Sequence, residues 1–472
     1  MTARLPDGFR ARLDPAVRRA AGGRVLLGGA PLRLLRLAPA AAEIIRGDGT
    51  VTVGDDRGAA VVRHLLDAGI AQPAPDPGSR GQGVTVVVPV RDNASGVDRL
   101  LRALPGLPVV VVDDGSAQPI RPAGARVLRT EISRGPAAAR NLGIAAADTE
   151  LVAVLDSDVV PQPGWLDALL PHFDDPAVAL AAPRIVALDP GGGARAGAWG
   201  PVARYESVRS SLDLGRRAAA VRAGTPVAYV PSAAMMLRRS AFDECGGFAP
   251  DMHVGEDVDL CWRLADAGWC LRYEPASEVA HDHRVRVWDW LRRKAFYGTS
   301  AAPLAIRHPG LVPPVAMSGA TLAGVVGLAT GTRVGLATAV ASQAYAAVRV
   351  AGTLDGVPGR GPLVAAIVAR GFLGGCRQAA SAMWRHYWPI TLAAGCLSRR
   401  VRRAAAGAAV ADGALDWWER RRPAGSGRGG KGPDPLTHIV LLRADDIAYG
   451  AGLWRGAVTA RSAAALRPRI TW

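Results

Sequence analysis

The sequence predicts an α/β chain: a mostly parallel sheet that carries the chemistry, a small helical unit with a β-wing before it, and apolar helices after it. Three observations lead there. Short β-branched runs, VTVVVPV (84–90), LPVVVVDD (107–114) and ELVAVLDSD (150–158), alternate with helical stretches, the pattern of a parallel sheet. A Pro/Gly-rich polar stretch, AQPAPDPGSRGQG (Ala71–Gly83), reads as a linker and separates the first 72 residues from the rest. From His308 onward the composition turns to Ala, Gly and Thr with few charges. The expected organisation is therefore a small unit over 1–72, a linker over 73–83, the sheet domain over 84–306, apolar helices over 307–405 and a basic flexible tail over 406–472.

Within the first unit, RVLLGGAPLRLLRLAP suggests two short strands around a Gly-Gly turn. AAAEIIRG and GAAVVRHLLDAGIAQP have the periodicity of amphipathic helices. Compact helical units with a β-wing bind peptides or DNA, or simply cap a neighbouring domain. In the sheet domain each strand run ends in polar residues, and ligands of such sheets gather at the carboxyl ends of the strands. In the last region LVPPVAMSGATLAGVVGLATG (Leu311–Gly331) is uncharged over about the length a membrane helix needs, and VGLATAVASQAYAAV follows it. A membrane-inserted hairpin, an interfacial layer and a soluble helical subdomain all fit these segments. Arg292, Arg293 and Lys294 before them and the run Arg399–Arg403 after them would hold both ends on the cytoplasmic side.

The 472 residues carry a net charge of +16, almost wholly from arginine, since Lys294 and Lys431 are the only lysines. Anionic lipid and nucleotide phosphates suit that charge. Nucleic acid is not expected, because no zinc-finger spacing and no aromatic-interleaved basic motif occurs. The five cysteines form no CxxC pair, which argues for reduced thiols rather than a disulfide framework or a zinc site. The N-terminus has no apolar core of a signal peptide, so the expected location is the cytoplasm or the cytoplasmic face of the plasma membrane.

The strand ends carry the chemistry. Asp113-Asp114-Gly115-Ser116 closes one apolar run and Asp156-Ser157-Asp158 another. An unpaired carboxylate at the end of a buried strand costs several kcal/mol. Together the two motifs offer hard oxygen ligands suited to Mg²⁺ or Mn²⁺ with a diphosphate, and the cation would neutralise the pair. On that reading Asp158 binds the metal, Asp156 reaches a ribose or a metal-bound water, and Asp113 accepts a hydrogen bond from a base or ribose. SRGPAAARNLG (Ser133–Gly143) has the small residues of a closely packed helix, with Arg140 either reaching a base or phosphate or lying on the surface. Glu256, Asp257 and Asp259 open a helix, where acidic residues are ordinary dipole partners. The sharper reading makes Asp257 a general base whose pKa burial would raise. His281-Asp282-His283 follows the run WCLRYEPASEVA and can reach a metal from one side, or be a surface pair.

In this order, VVVPVRDN, DDGS, RGPAAARNLG, LDSD, GGF and GEDVDL resemble the family 2 glycosyltransferases, over roughly Val84 to Arg293. The resemblance implies a GT-A fold, a UDP-sugar or other nucleotide-diphosphate sugar as donor, a divalent metal and inversion at the anomeric carbon. It places Pro89, Val90, Arg91, Asp92, Asp113 and Asp114 at the nucleotide with Arg140 nearby. It makes Asp156 and Asp158 the DxD pair, Asp257 the catalytic base, and His281 or His283 a completing metal ligand. The processive members' QxxRW-type signature has no clear copy; WLRRKAFYG stands in that region, which speaks against processive polymer synthesis. The N-terminal unit resembles the PqqD-like peptide-recognition domains of ribosomal-peptide maturation. The combined architecture implies transfer of a hexose, glucose for preference, to a peptide-derived redox cofactor of the mycofactocin type. No motif here distinguishes glucose from galactose or mannose. The rivals are a cell-envelope transferase acting on a lipid-linked or polysaccharide acceptor, and a non-catalytic peptide-binding scaffold.

Overall fold

A computed structural model describes residues 3–29, 31–74, 83–188, 200–283, 285–421 and 432–471. They fall into two compact units, Met1–Pro190 with Ser210–His283, and Gly191–Arg209 with Arg284–Trp472.

In the first unit the N-terminal residues build two three-stranded antiparallel sheets. One is centred on Arg10–Leu13, between Thr50–Thr52 and Ala71–Pro73; the other is formed by Arg18–Ala20, Val25–Gly28 and Arg33–Arg36. The Gly-Gly turn joins the last two of these strands, with Leu26 opposite Leu35. Helix α1 (Asp56–Asp67) is capped by Asp55, whose side chain accepts from the Gly58 N–H, and buries Val62, Leu65 and Leu66. Ala71–Pro73 is therefore a strand, and residues 75–82 of the expected linker lie outside the described residues. On the outer face of α1, Arg63 makes a two-pronged pair with Asp175 at 2.7 and 2.8 Å, with Cys270 Sγ 3.5 Å away. Both charges are largely buried, so the pair clamps the N-terminal unit to the sheet domain.

Among the described residues the large sheet has nine strands: β1 (Val84–Val90), β2 (Val109–Asp114), β3 (Arg126–Thr130), β4 (Leu151–Leu155), β5 (Val159–Pro161), β6 (Val178–Ala187), β7 (Ala219–Ala220), β8 (Ala234–Arg238) and β9 (Cys270–His281). Their order is β5-β9-β6-β8-β4-β1-β2-β3, with β7 on β9. The strands β4-β1-β2-β3 are parallel, as expected from the alternation with α2 (Ala94–Arg102) and α3 (Pro136–Ala145). The other half is mixed: β6 and β9 pair parallel and point the same way as those four strands, so six of the nine strands share one direction. β8 runs antiparallel to both β4 and β6, and β5 and β7 run antiparallel to β9. A short buried run such as AMMLR has the composition of a strand but no signature of direction. Helix α3 lies close on the sheet because a side chain at Gly143 would meet Val87 at 2.3 Å, so its small residues are a packing requirement.

The second unit is helical. The helix Pro201–Arg209 is followed in this unit by α4 (Val287–Gly298), α5 (Gly319–Thr330), α6 (Arg333–Thr353), α7 (Arg360–Arg385), α8 (Trp388–Leu397), α9 (Arg399–Arg420) and α10 (Pro435–Thr459). The expected flexible tail over 406–472 is thus replaced by the end of α9 and the 25-residue α10, while 422–431 lies outside the described residues. The reason is that α10 turns charge inward. Lys294 lies 3.0 Å from Glu206 and 3.3 Å from Asp445; Arg443 pairs with Asp412 at 2.7 Å; His438 contacts Asp416 at 2.8 Å. Paired ions fill positions where an apolar stripe would ordinarily announce a helix. At Gly452 an added side chain would lie 1.7 Å from the Ala295 carbonyl, so α4 and α10 approach backbone to backbone. Among the described residues one helix, α6, is long and apolar enough to cross a membrane, and α5 and α8 are shorter apolar helices.

Candidate active site

The site is built at the carboxyl ends of β1, β2 and β4. Pro89 and Val90 are buried at the end of β1, whereas Arg91 and Asp92 are exposed. Asp92 has φ +53°, a left-handed backbone that costs a non-glycine residue about 1–3 kcal/mol and must be held by its surroundings. Two bonds hold it: its N–H donates to Ser116 Oγ at 2.9 Å, and the Ala117 N–H donates to its Oδ1 at 2.8 Å. The loops after β1 and β2 are thereby locked to each other.

Asp113 and Asp114 are both spent on shaping loops. Asp113 is fully buried and accepts from the N–H groups of Ser116 and Ile120 and from the Arg129 guanidinium. Asp114 accepts from the Ser133 and Thr130 hydroxyls and from the N–H groups of Arg134 and Gly135. Burial alone would raise both pKa values, but these donors outweigh it and hold both carboxyls below the usual carboxylate range. Asp113 was expected to accept from a base or ribose, yet each of its oxygens already has a partner. These bonds fix the turn that follows β2.

Arg140 lies at the centre. It is neither on the surface nor free for a phosphate: it is 3% exposed, with Nη2 2.7 Å from Asp156 Oδ1 and Nη1 2.8 Å from Glu256 Oε1. Asp156 therefore has its counter-charge inside the protein, and the guanidinium fork ties the end of β4 to the start of the helix Glu256–Asp266. Ser157 between the two aspartates accepts from Asn93 Nδ2 at 3.0 Å.

Asp158 remains half-exposed. The pairing of β5 with β9 sets Val159 opposite His281, and His281 Nε2 comes within 3.5 Å of Asp158 Oδ1. His281 Nδ1 faces His283 Nδ1 at 3.2 Å. With His281 Nδ1 as the donor, its Nε2 keeps a lone pair on the Asp158 side, and His283 orients the ring from behind. A carboxylate oxygen and an imidazole nitrogen on one side fit a divalent cation. No group of three or more such ligands gathers among the described residues.

Asp257 opens the helix Glu256–Asp266 and is half-buried. It accepts from the Ser232 N–H at 3.2 Å and from its own neighbour's N–H, Val258, at 2.8 Å. Burial and the adjacent Glu256 carboxylate outweigh those donors and Arg140, and its pKa is raised to about 7. A carboxylate with that affinity for a proton, at the strand-end site, is suited to general-base work near neutrality.

The sequence comparisons give the family. The pattern described as glycosyl transferase family 2 matches residues 85–246. The pre-mycofactocin glycosyltransferase of Mycobacterium tuberculosis is 51% identical over 478 residues, covering 100% of both chains. The chain belongs to glycosyl transferase family 2. The glycosyltransferase AglE of Haloferax volcanii is 25% identical over 232 residues, covering 45% of this chain and 70% of its own. The solved mannosyltransferase PcManGT of Pyrobaculum calidifontis, in complex with GDP-Man and Mn2+, has a TM-score of 0.36 at 21% identity, over 74% of this chain and 90% of that one.

Several residues of this candidate site escaped the motif reading. Glu256 was grouped with helix-start acids, yet it is the partner of Arg140 and the charge beside Asp257. Ser232 reaches both members of that pair, by its N–H to Asp257 and its hydroxyl to Glu256. Arg129 answers Asp113 across neighbouring strands, where the register sets Asp113 beside Arg129. None of these partnerships has a local signal in the sequence, because each joins residues of different elements.

Proposed function

We propose that this family 2 glycosyltransferase is an inverting, metal-dependent hexosyltransferase. It moves a sugar, glucose as the expected one, from a UDP-sugar to a peptide-derived redox cofactor of the mycofactocin type. The observation that carries the mechanism is Asp257, with its pKa raised to about 7 at the mouth of the strand-end site. Asp257 takes the proton from an acceptor hydroxyl, and the oxygen attacks the sugar C1 as the C1–O bond to the diphosphate breaks on the opposite side. Arg140 holds Asp156 and Glu256 in place, and Glu256 keeps Asp257 basic. Asp158 and His281 would hold the divalent cation, which when bound supplies positive charge for the departing diphosphate.

The acceptor assignment rests on the full-length likeness to the pre-mycofactocin enzyme. The N-terminal unit is read as the peptide-recognition element, and it works as a fixed part rather than a loose tether. Arg63 clamps it at Asp175 and Cys270, where β6 and β9 begin, whereas His281 ends β9 roughly 30 Å further along. The apolar helix α6 supports a location at the cytoplasmic face of the plasma membrane.

A panel of nucleotide sugars with purified protein, Mg²⁺ or Mn²⁺, and extracts from cells with or without the peptide-maturation pathway tests the reading. Nucleotide diphosphate release that requires the pathway's product is expected. Equal release with both extracts would keep the transferase and overturn the acceptor.

A further inference from the structure

We infer that the corner between α8 and α9 is a docking surface for the headgroups of anionic phospholipids. The inference rests on the reading that this enzyme works at a membrane and names the lipid chemistry it engages there. Two faces meet at the corner. α8 carries exposed apolar residues, Ile390 and Leu392 in its first half and Leu397 at its last position, which is 90% exposed. After the single residue Ser398, α9 opens with Arg399, Arg400, Arg402 and Arg403, all exposed. Arg402 donates to the Gly395 carbonyl at 3.1 Å and so ties the corner together. Among the described residues no carboxylate lies within ion-pair distance of Arg399, Arg400 or Arg403, and none stands in the first turn of α9.

This placement runs against the helix itself, because the N-terminal end of a 22-residue helix is its positive pole. Four arginines there repel that pole and one another, and an external anion relieves both. A soluble phosphate would answer the charge but leave Leu397 in water. A bilayer rich in anionic lipid answers both faces at once, with headgroups for the guanidinium groups and acyl boundary for the leucines.

Flotation of the full-length protein with phosphatidylcholine vesicles, with and without phosphatidylglycerol, tests this. The variants are Arg399→Gln/Arg400→Gln/Arg403→Gln and the corresponding triple lysine substitution. Each arginine near an anionic surface contributes about fivefold to partitioning, so the glutamine triple is expected to lose on the order of a hundredfold of the preference for phosphatidylglycerol. The lysine triple should keep it, the wild-type preference should fall with salt, and binding to pure phosphatidylcholine should be the same for all three proteins. A glutamine triple that keeps the wild-type preference would overturn the inference. So would loss of self-association in the same variant without change in lipid preference, which would assign the corner to a second copy of the chain. Wild-type protein that binds both vesicles equally sinks the anionic-lipid site alone, and binding to neither sinks the membrane reading with it.

Discussion

Two pairs of adjacent carboxylates stand in this site and have opposite fates. Asp113 and Asp114 are both deeply buried, yet both titrate low; Asp257, beside Glu256, titrates high. Burial pushes all three upward and is the largest cause at each, so what separates them is how far donors and neighbouring charges answer it. Asp114 takes two hydroxyls and two N–H groups, and Asp113 takes two N–H groups and a guanidinium. Asp257 takes only two N–H groups, while the one nearby guanidinium is shared between Asp156 and Glu256. A saturated carboxylate builds the loops of a site; an undersupplied one next to another negative charge is left able to accept a proton.

The largest effect that would break this contrast is at Asp257. Asp257→Asn is expected to lower the transfer rate by about a hundred- to ten-thousandfold while nucleotide binding, measured by calorimetry, stays nearly unchanged. Normal turnover by that variant would remove Asp257 from the mechanism. A smaller effect sharpens the contrast by sign. Because the base must be deprotonated, kcat/KM should fall about tenfold per pH unit below a limb near pH 7. Glu256→Gln removes a negative neighbour and should move that limb to lower pH. Arg140→Gln removes a positive one and should move it to higher pH. A purely structural role for these two residues would lower the rate without moving the limb, so the pH profile, rather than the rate, is the readout.

The parallel half of the sheet and the positions of the polar strand ends were legible because each is a local property: a short apolar run, VVVV or LVAVL, followed by Asp-Asp or Asp-Ser-Asp. Which carboxylate is saturated was not legible, since the deciding partners come from elsewhere in the chain. Arg140 meets Glu256 across 116 residues, and Ser232 reaches Asp257 across 25. The same blindness hid α10, whose inward face carries His438, Asp445 and Asp446 and is stable only because other helices supply Asp416, Lys294 and Arg385. It also left Arg63 as one more arginine on an amphipathic helix, although Asp175, 112 residues away, makes it a clamp.

The smallest expected effect on turnover, and the one that tests the other half of the contrast, concerns stability. Asp113→Asn and Asp114→Asn keep the shape but remove the charge that their donors answer. Each is expected to cost about 1–3 kcal/mol in urea unfolding. Their folded pKa values lie below the unfolded value of about 3.9, so their contribution is complete above that pH and is lost as pH falls through the folded values. The wild-type urea midpoint should therefore drop more steeply below about pH 4 than that of the double Asn variant, and the two curves should converge at the acid end. Parallel curves would mean that the donors around Asp113 and Asp114 do not distinguish charged from neutral. The loops after β1 and β2 would then be held by packing alone, and Asp257 would stand out for its neighbour Glu256 rather than for its shortage of donors.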